Sequence, residues 1–437
     1  MSLSSTKNLL TTSFLFLTSL SYAPAVTAAT PSTKYSYDLG YDVRYGVHTV
    51  GRPDAATHRH TMEYDQKADY NNQWSTVLGL RAEVEAAYAS VPDRYSNTDV
   101  LKYESQSFFP KDNYLQYKDG RFRARAGYQQ IVWGEAFGLY YADIVNPKDY
   151  RNAGLGDLSR NRLDSPLINL QWINSDSSWQ VLYIPKPMFS LLPSAGSDFN
   201  LFQLPATAPA IPVTIERYAD KNPTQGEYGL RYSQQINGFD FSFFYLNYFD
   251  RTPVYQITTQ FVPTLSLKAT PEYKPLQSAG ATLTVDFTGY LVRSEIVQHL
   301  NREYNTYNGT TVSSEKSDEL VYVLGLDLPP RDKWQIGFQY SESRLKTASW
   351  LLRKSTQSTL AAHVGKTFRN DVVFDSVMTY YTSDSSQLLQ ASLGAPLSSQ
   401  SEISIGADRF DGKSDTELGR FKNASRAWVM FKTTLKK

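Results

Sequence analysis

Arginine stands at 121, 123 and 125, every second position of a run whose intervening residues are Phe122, Ala124, Ala126 and Tyr128. Alternate side chains of an extended chain point the same way, so the three guanidiniums make a column of cations. A column of fixed cations does one kind of chemistry: it sorts anions from cations by its field and holds water in place. Arg44, Arg81, Arg231 and Arg293 take equivalent places in other runs of this kind, and Asp38, Asp42, Glu83 and Glu85 supply opposing carboxylates. The competing reading is a set of solvated charges and ion pairs that only stiffen a wall.

Groupings that could carry catalysis are sparse. Cysteine is absent, which excludes disulfides, thiolate nucleophiles and cysteine-ligated metals. The five histidines are His48, His58, His60, His299 and His363. His58 and His60 flank Arg59 at the spacing of a two-ligand metal site on a strand, but no third ligand is near in sequence. No nucleophile elbow, phosphate-cradling glycine loop or zinc-protease helix motif occurs. No enzyme, cofactor or metal is therefore expected. A net charge of +1, with both signs dispersed, removes bulk attraction to nucleic acid.

A second candidate lies just after the arginine column, at residues 127–151, where the alternation breaks. A loop exposing Trp133, Phe137, Tyr140 and Tyr141 together would forfeit on the order of several kcal/mol of burial. It is expected to fold inward, with residues 131–163 narrowing a lumen and Trp133, Glu135, Phe137, Tyr140 and Asp143 as constriction or ligand-contact residues. Its alternative is a plug that packs without touching solute.

The elements that must position these residues are strands. Tyr35, Tyr37, Leu39, Tyr41, Val43, Tyr45 and Val47 alternate with Ser36, Asp38, Gly40, Asp42, Arg44, Gly46 and His48, a period of two with one apolar and one polar face. The split recurs at Leu78 to Tyr88, at Phe239 to Tyr245 and at Trp334 to Tyr340. Such runs reach about ten residues or more, longer than the roughly five or six of soluble sheets and suited to a tilted membrane crossing. Aromatic residues make up 14% of the chain and gather at strand ends, as interfacial girdles would have them. Mean hydropathy is only -0.43, because alternating faces cancel.

Connections alternate between tight turns, as at Asp119-Gly120 and Asn237-Gly238, and long polar loops near 89–104, 131–163, 187–225, 251–274, 305–317, 347–354 and 411–420. That alternation predicts an all-β fold: a closed antiparallel transmembrane barrel of about eighteen strands, within a range of about fourteen to eighteen, with short periplasmic turns and long outer loops. No internal period of roughly 20 to 50 residues suggests a propeller. Lys7, the apolar run from Leu9 to Leu20 and the small residues Ala28 and Ala29 read as a secretory signal peptide over residues 1–29, leaving 30–437 as the barrel. Beyond it no stretch reaches the roughly 20 apolar residues of a membrane helix.

The stretch Gly127-Tyr128-Gln129-Gln130-Ile131-Val132-Trp133-Gly134-Glu135, followed by Ala142-Asp143-Ile144-Val145-Asn146-Pro147-Lys148-Asp149, resembles the signature of a poorly characterised family of porin-like bacterial outer-membrane proteins, some encoded beside RND-superfamily exporters. The resemblance covers some 25 residues. It implies fold and Gram-negative outer-membrane location more than substrate, and it implies an inner-membrane exporter as partner for some members. The expected function is a channel passing small polar or charged solutes through a charge-lined lumen, with outer-membrane lipid and solute as partners and homo-oligomers compatible with its size. Two alternatives stand beside it: a barrel serving export or uptake of lipids or apolar compounds, and an outer-membrane enzyme or adhesin acting through loops such as 187–225.

Overall fold

The computed structural model describes residues 34–51, 54–90, 98–136, 141–156, 158–194, 197–200, 213–216, 219, 222–261, 265–307, 312–346 and 354–436. The expected signal peptide, Phe137 and Tyr140 lie outside the described residues.

Alternation turns into strands throughout. In chain order they are β1 (Lys34–His48), β2 (Ala55–Asp69), β3 (Trp74–Glu85), β4 (Gln106–Pro110), β5 (Asn113–Asp119), β6 (Phe122–Gln129), β7 (Ser165–Ile173), β8 (Ser177–Ile184), β9 (Val213–Ile215), β10 (Glu227–Ile236) and β11 (Phe239–Phe249). They continue as β12 (Val254–Gln260), β13 (Ser266–Glu272), β14 (Pro275–Phe287), β15 (Tyr290–Tyr307), β16 (Val312–Asp327), β17 (Trp334–Leu345), β18 (Thr356–Thr367), β19 (Val373–Tyr381), β20 (Ser386–Pro396), β21 (Ser401–Asp411) and β22 (Arg426–Lys436). The main sheet is antiparallel between neighbours and closes on itself where β1 pairs with β22, from Asp38 opposite Lys436 to His48 opposite Arg426. β4 and β5 both pair with β3 and form the two halves of one stave, so the barrel has eighteen staves.

Register fixes the faces. Thr61, Arg81 and Glu83 stand on the same side as Asp42, and this side points into the barrel. Leu78, Phe243, Leu324, Phe338 and Ile405 point outward, each at least half exposed, which is the apolar belt that hydrocarbon requires. His58 and His60 sit opposite Tyr45 and Val43, on the outward face. Among the described residues no cluster of three candidate metal ligands forms.

At the short-turn end, Asn237 and Gly238 both adopt positive φ, the two-residue turn that this pair favours. The other end departs from expectation in places. In place of the long loop expected over 305–317, the described residues 305–307 and 312–317 extend the β15–β16 pairing, with Arg302 opposite Ser317 and Tyr307 opposite Val312 beyond a bulge after His299. Asn301, at φ 53, takes up the extra residue, so Arg302 and Tyr304 again face inward. Residues 251–274 carry the β12–β13 hairpin, which β9 joins in a small three-stranded sheet. β6, β7 and β8 run only eight or nine residues, because the chain leaves the wall there for the interior.

The largest correction concerns the inward face, which is not uniformly polar. Leu167, Leu182, Ile184, Phe244, Leu246, Leu276, Val297 and Val321 all point inward and are buried in one cluster with Ile131, Trp133, Ala142, Ile144 and Val145. The core therefore sits inside the barrel, between its wall and the loop joining β6 to β7. Outward exposure cannot reveal such a patch from one strand at a time.

The interruption at Lys111 and Asp112 depends on Gly79, where a Cβ would lie 2.0 Å from the Lys111 carbonyl oxygen while the Lys111 N–H donates to the Gly79 carbonyl at 2.9 Å. Gly79→Val should destabilise the barrel by about 1–3 kcal/mol through overpacking. The check is the urea midpoint of the folded, heat-modifiable band on gels, and an unchanged midpoint would show that the stave accommodates a side chain.

Candidate functional site

The chain between β6 and β7 enters the lumen and is held there at several points. Gln129 ends β6, and Asn146 closes the neck of the loop: its Oδ1 accepts from the Ile131 N–H at 2.7 Å, and its Nδ2 donates to the Gln129 and Leu163 carbonyls, each at 2.9 Å. Trp133 is fully buried against Phe244, with ring centroids 5.2 Å apart, and its Nε1 donates to Gln180 Oε1 at 2.8 Å. Gly229 makes room for this ring, since a Cβ there would lie 3.0 Å from it.

The strongest anchor comes from the wall. Glu295 on β15, almost wholly buried, accepts backbone N–H bonds from Glu135, from Ala136 at 2.6 Å and from Ala142 at 3.1 Å. Charge-assisted bonds of this kind are the stronger class, and three of them converge on one carboxylate. Tyr141 bonds Ser341 on β17 at 3.0 Å. Arg251 grips the Val145 carbonyl at 3.1 and 2.8 Å while it also donates to both oxygens of Glu227, at 2.8 and 2.7 Å, and to the Met188 carbonyl at 3.2 Å.

The second half of the loop docks on the opposite flank. Asp143 pairs with Arg162 at 2.6 Å and with Lys148 at 3.4 Å, and Lys148 Nζ also donates to the Asp143 and Asn146 carbonyls. Burial pushes the Lys148 ammonium down to about 8 against the attraction of Asp143. Burial alone would raise the Asp149 carboxyl, but Arg151, 2.6 Å away, holds it below its ordinary value. Arg160 pairs with Asp42 on β1 at 2.7 Å and with Glu63 on β2 at 2.9 Å, and its carbonyl accepts from Arg81 at 2.8 Å. Leu155 reaches a second buried cluster with Leu388, Phe410 and Phe421, joined there by Phe199 from the β8–β10 connection. Contacts from β17 on one flank to β1, β2 and β21 on the other show that the loop crosses the lumen.

Against this frame the expected site residues separate. Arg44, Arg81, Glu83, Arg123, Arg125, Arg231 and Arg293 all take inward register positions, and Arg121 lies in the turn before β6, bonded to Asn174 of the next turn. Arg81 is buried beneath the loop beside Glu83, at 3.2 Å. Arg293 pairs with Asp327. Glu85 binds Thr57 and Arg59 and Asp42 binds Arg160, so these carboxylates are taken up locally and do not face the arginine column. Of the loop residues, Trp133 and Asp143 are buried in its packing, whereas Glu135 is exposed and shares the field of Arg231, Asp240 and Arg293. Sequence reasoning missed Glu295, Glu227, Arg251 and Arg160. Glu295 alternates with Arg293 and Val297 on one face of its strand and looks there like any lumenal acid.

A closed antiparallel barrel of eighteen staves is the fold of outer-membrane porins. Residues 34–410 match the family described as a protein of unknown function, DUF1302, and the chain belongs to it. No curated protein matches the sequence. OccK8 (OprE) of Pseudomonas aeruginosa superposes with a TM-score of 0.54 at 9% identity, covering 94% of this chain and 100% of that one. OccAB2 of Acinetobacter baumannii gives 0.53 at 11% identity, over 92% and 98%. At such identities the likeness is one of fold.

Glu295→Ala should strand three N–H groups at about 1–3 kcal/mol each and release the loop from the wall. Limited proteolysis within residues 131–151 and current noise in planar bilayers are the readouts, with Glu295→Gln, which keeps an acceptor, expected to fall between wild type and alanine. A loop equally protected in Glu295→Ala would show that the apolar cluster alone holds it.

Proposed function

We propose that the protein is an outer-membrane channel for small polar or charged solutes, narrowed by residues 131–163 and biased toward anions. One observation carries this reading. Among the described residues, Arg44, Arg121, Arg123, Arg125 and Arg231 have no carboxylate within ion-pair distance, although Arg59, Arg81, Arg151, Arg160, Arg251, Arg302 and Arg426 each have one. Arg125 instead bonds Gln116 at 2.8 Å and lies over Tyr114, Arg44 lies over Trp428, and Nε of Arg123 and of Arg231 is without a partner. Lumenal cations that no carboxylate contacts directly raise the local concentration of anions.

The expected constriction residues fit this reading unequally. Glu135 is an exposed loop side chain in the field of Arg231 and Arg293, whereas Trp133 and Asp143 are buried within the loop's packing. Apolar lumenal side chains are the ones the loop covers, which favours polar over apolar cargo. No catalytic step is needed for passage, and outer-membrane lipid and solute are the partners this reading requires. An inner-membrane exporter as a further partner, and assembly into homo-oligomers, belong to the same proposal.

Deleting residues 131–151 should raise single-channel conductance several-fold in planar bilayers, and equal conductance would remove the loop from the conduction path. Arg121→Glu, Arg123→Glu and Arg125→Glu together should shift the reversal potential in a salt gradient toward cations. Identical potentials would mean that the column does not face the moving ions.

A further inference from the structure

His58 and His60 lie away from the lumen, on the outward face of β2 opposite Tyr45 and Val43. Alternate residues of a strand share a face, so the two imidazoles stand side by side, with ring centroids 4.9 Å apart and Nε2 atoms 3.2 Å apart. Two nitrogens held at 2.0–2.1 Å by one tetrahedral ion are themselves about 3.3 Å apart, so the pair already has the spacing of a chelate. His60 Nδ1 lies 2.8 Å from Tyr41 Oη. A ring that donates its Nδ1–H to that oxygen presents the lone pair of Nε2, which is the tautomer a metal requires and the outer-shell partner that metal-bound histidines usually have.

Their depth in the membrane makes them reachable. β2 runs from Ala55 on the long-loop side to Asp69 on the short-turn side, and His58 is its fourth residue. The eleven residues from Asp69 back to His58, on a strand tilted at roughly 40°, raise it about 28 Å, past an apolar band roughly 25 Å tall whose other margin the exposed Tyr70 and Trp74 mark. Both imidazoles are partly exposed at this level. The exposed Tyr45 ring meets His58 edge-on at 5.7 Å, so the pair belongs to the outer aromatic girdle, where water has access. Among the described residues no third His, Cys, Asp or Glu completes a cluster with them, and the remaining positions of an ion fall to water. Imidazole nitrogens without oxygen or thiolate partners select zinc, copper or nickel over calcium and magnesium.

We infer that His58 and His60 chelate one divalent ion of the zinc, copper or nickel class through their Nε2 atoms, on the outer surface of the barrel at the margin of the outer leaflet, with Tyr41 as the positioning residue for His60. Without the ion, one Nε2 donates a hydrogen bond to the other. Binding needs both as lone-pair ligands, so the donor ring moves its proton to Nδ1 and the ion takes the place of that single bond. The pair faces away from the lumen, and the inference does not depend on what the lumen conducts.

The test uses the folded full barrel without a histidine tag, in detergent micelles freed of metal by a chelator, titrated with Cu²⁺ for electron paramagnetic resonance and with Zn²⁺ for calorimetry. Zinc binding should saturate at one ion per chain, and the copper spectrum should show coupling to two imidazole nitrogens. His58→Ala and His60→Ala should each abolish the two-nitrogen signal while leaving the heat-modifiable band of the folded barrel in place. Tyr41→Phe should weaken zinc binding about tenfold, as loss of an outer-shell partner does. Coupling to a single nitrogen, or a two-nitrogen signal that survives in both alanine variants, would put the ion elsewhere and overturn the site. Displacement of zinc by an equal concentration of Mg²⁺ would overturn the assignment to this class of ion, and undiminished zinc affinity in Tyr41→Phe would remove Tyr41 from it. A folded wild-type barrel that binds neither ion would leave the pair as hydrogen-bonded girdle residues and nothing more.

Discussion

Hydrocarbon supplies no hydrogen bonds, and every other feature of this protein follows from how the backbone meets that constraint. Each N–H and C=O in the membrane must find a partner on a neighbouring strand, so the sheet has no tolerable edge and the first strand must meet the last. The β1–β22 register accomplishes this over eleven residue pairs. Phe431 stands opposite Val43 on the outward side, and the final Lys-rich residues continue past it toward the turn end. Closure in turn fixes which face of every strand is wet.

A closed cylinder of eighteen staves is too wide for its own wall side chains to fill. This chain answers with an inward loop, and the wall is prepared for it on two flanks by different means. From β7 to β16 the inward face carries an apolar patch that Trp133, Ala142 and Val145 cover. On β1 to β3 it carries carboxylates that Arg160 reaches, with Arg81 accepted on the loop backbone. Burial supplies the gross attraction, and Glu295 and Asn146 specify the path, because buried N–H groups without acceptors would be costly in any other conformation.

The same division explains how one lumen presents two electrostatic environments. Where the loop docks, charges are neutralised in pairs and the space left over is polar but without net charge. Away from it, Arg125 of β6 bonds an amide and lies over a ring, Arg231 of β10 bonds a carbonyl, and among the described residues neither has a carboxylate within ion-pair distance.

The alternating pattern by itself determined the strands, the faces and the closed barrel, since a period of two exposes which side chains meet oil and which meet water. It also marked residues 127–151 as inward-folding, because four large aromatics cannot be left in solvent together. It could not decide what the loop's residues do. Trp133 and Asp143 are equally plausible from sequence as solute contacts or as packing, and only the tertiary structure brings Phe244 and Gln180 to Trp133 from distant strands and sets Arg162 and Lys148 of the same loop against Asp143. Nor could it distinguish Arg293, neutralised by Asp327, from Arg125, which has no such partner, or Glu295 as an anchor from Glu83 as a wall charge. Alternation records the side of the sheet a residue occupies, whereas pairing depends on which strands closure makes neighbours and on where the loop comes to rest.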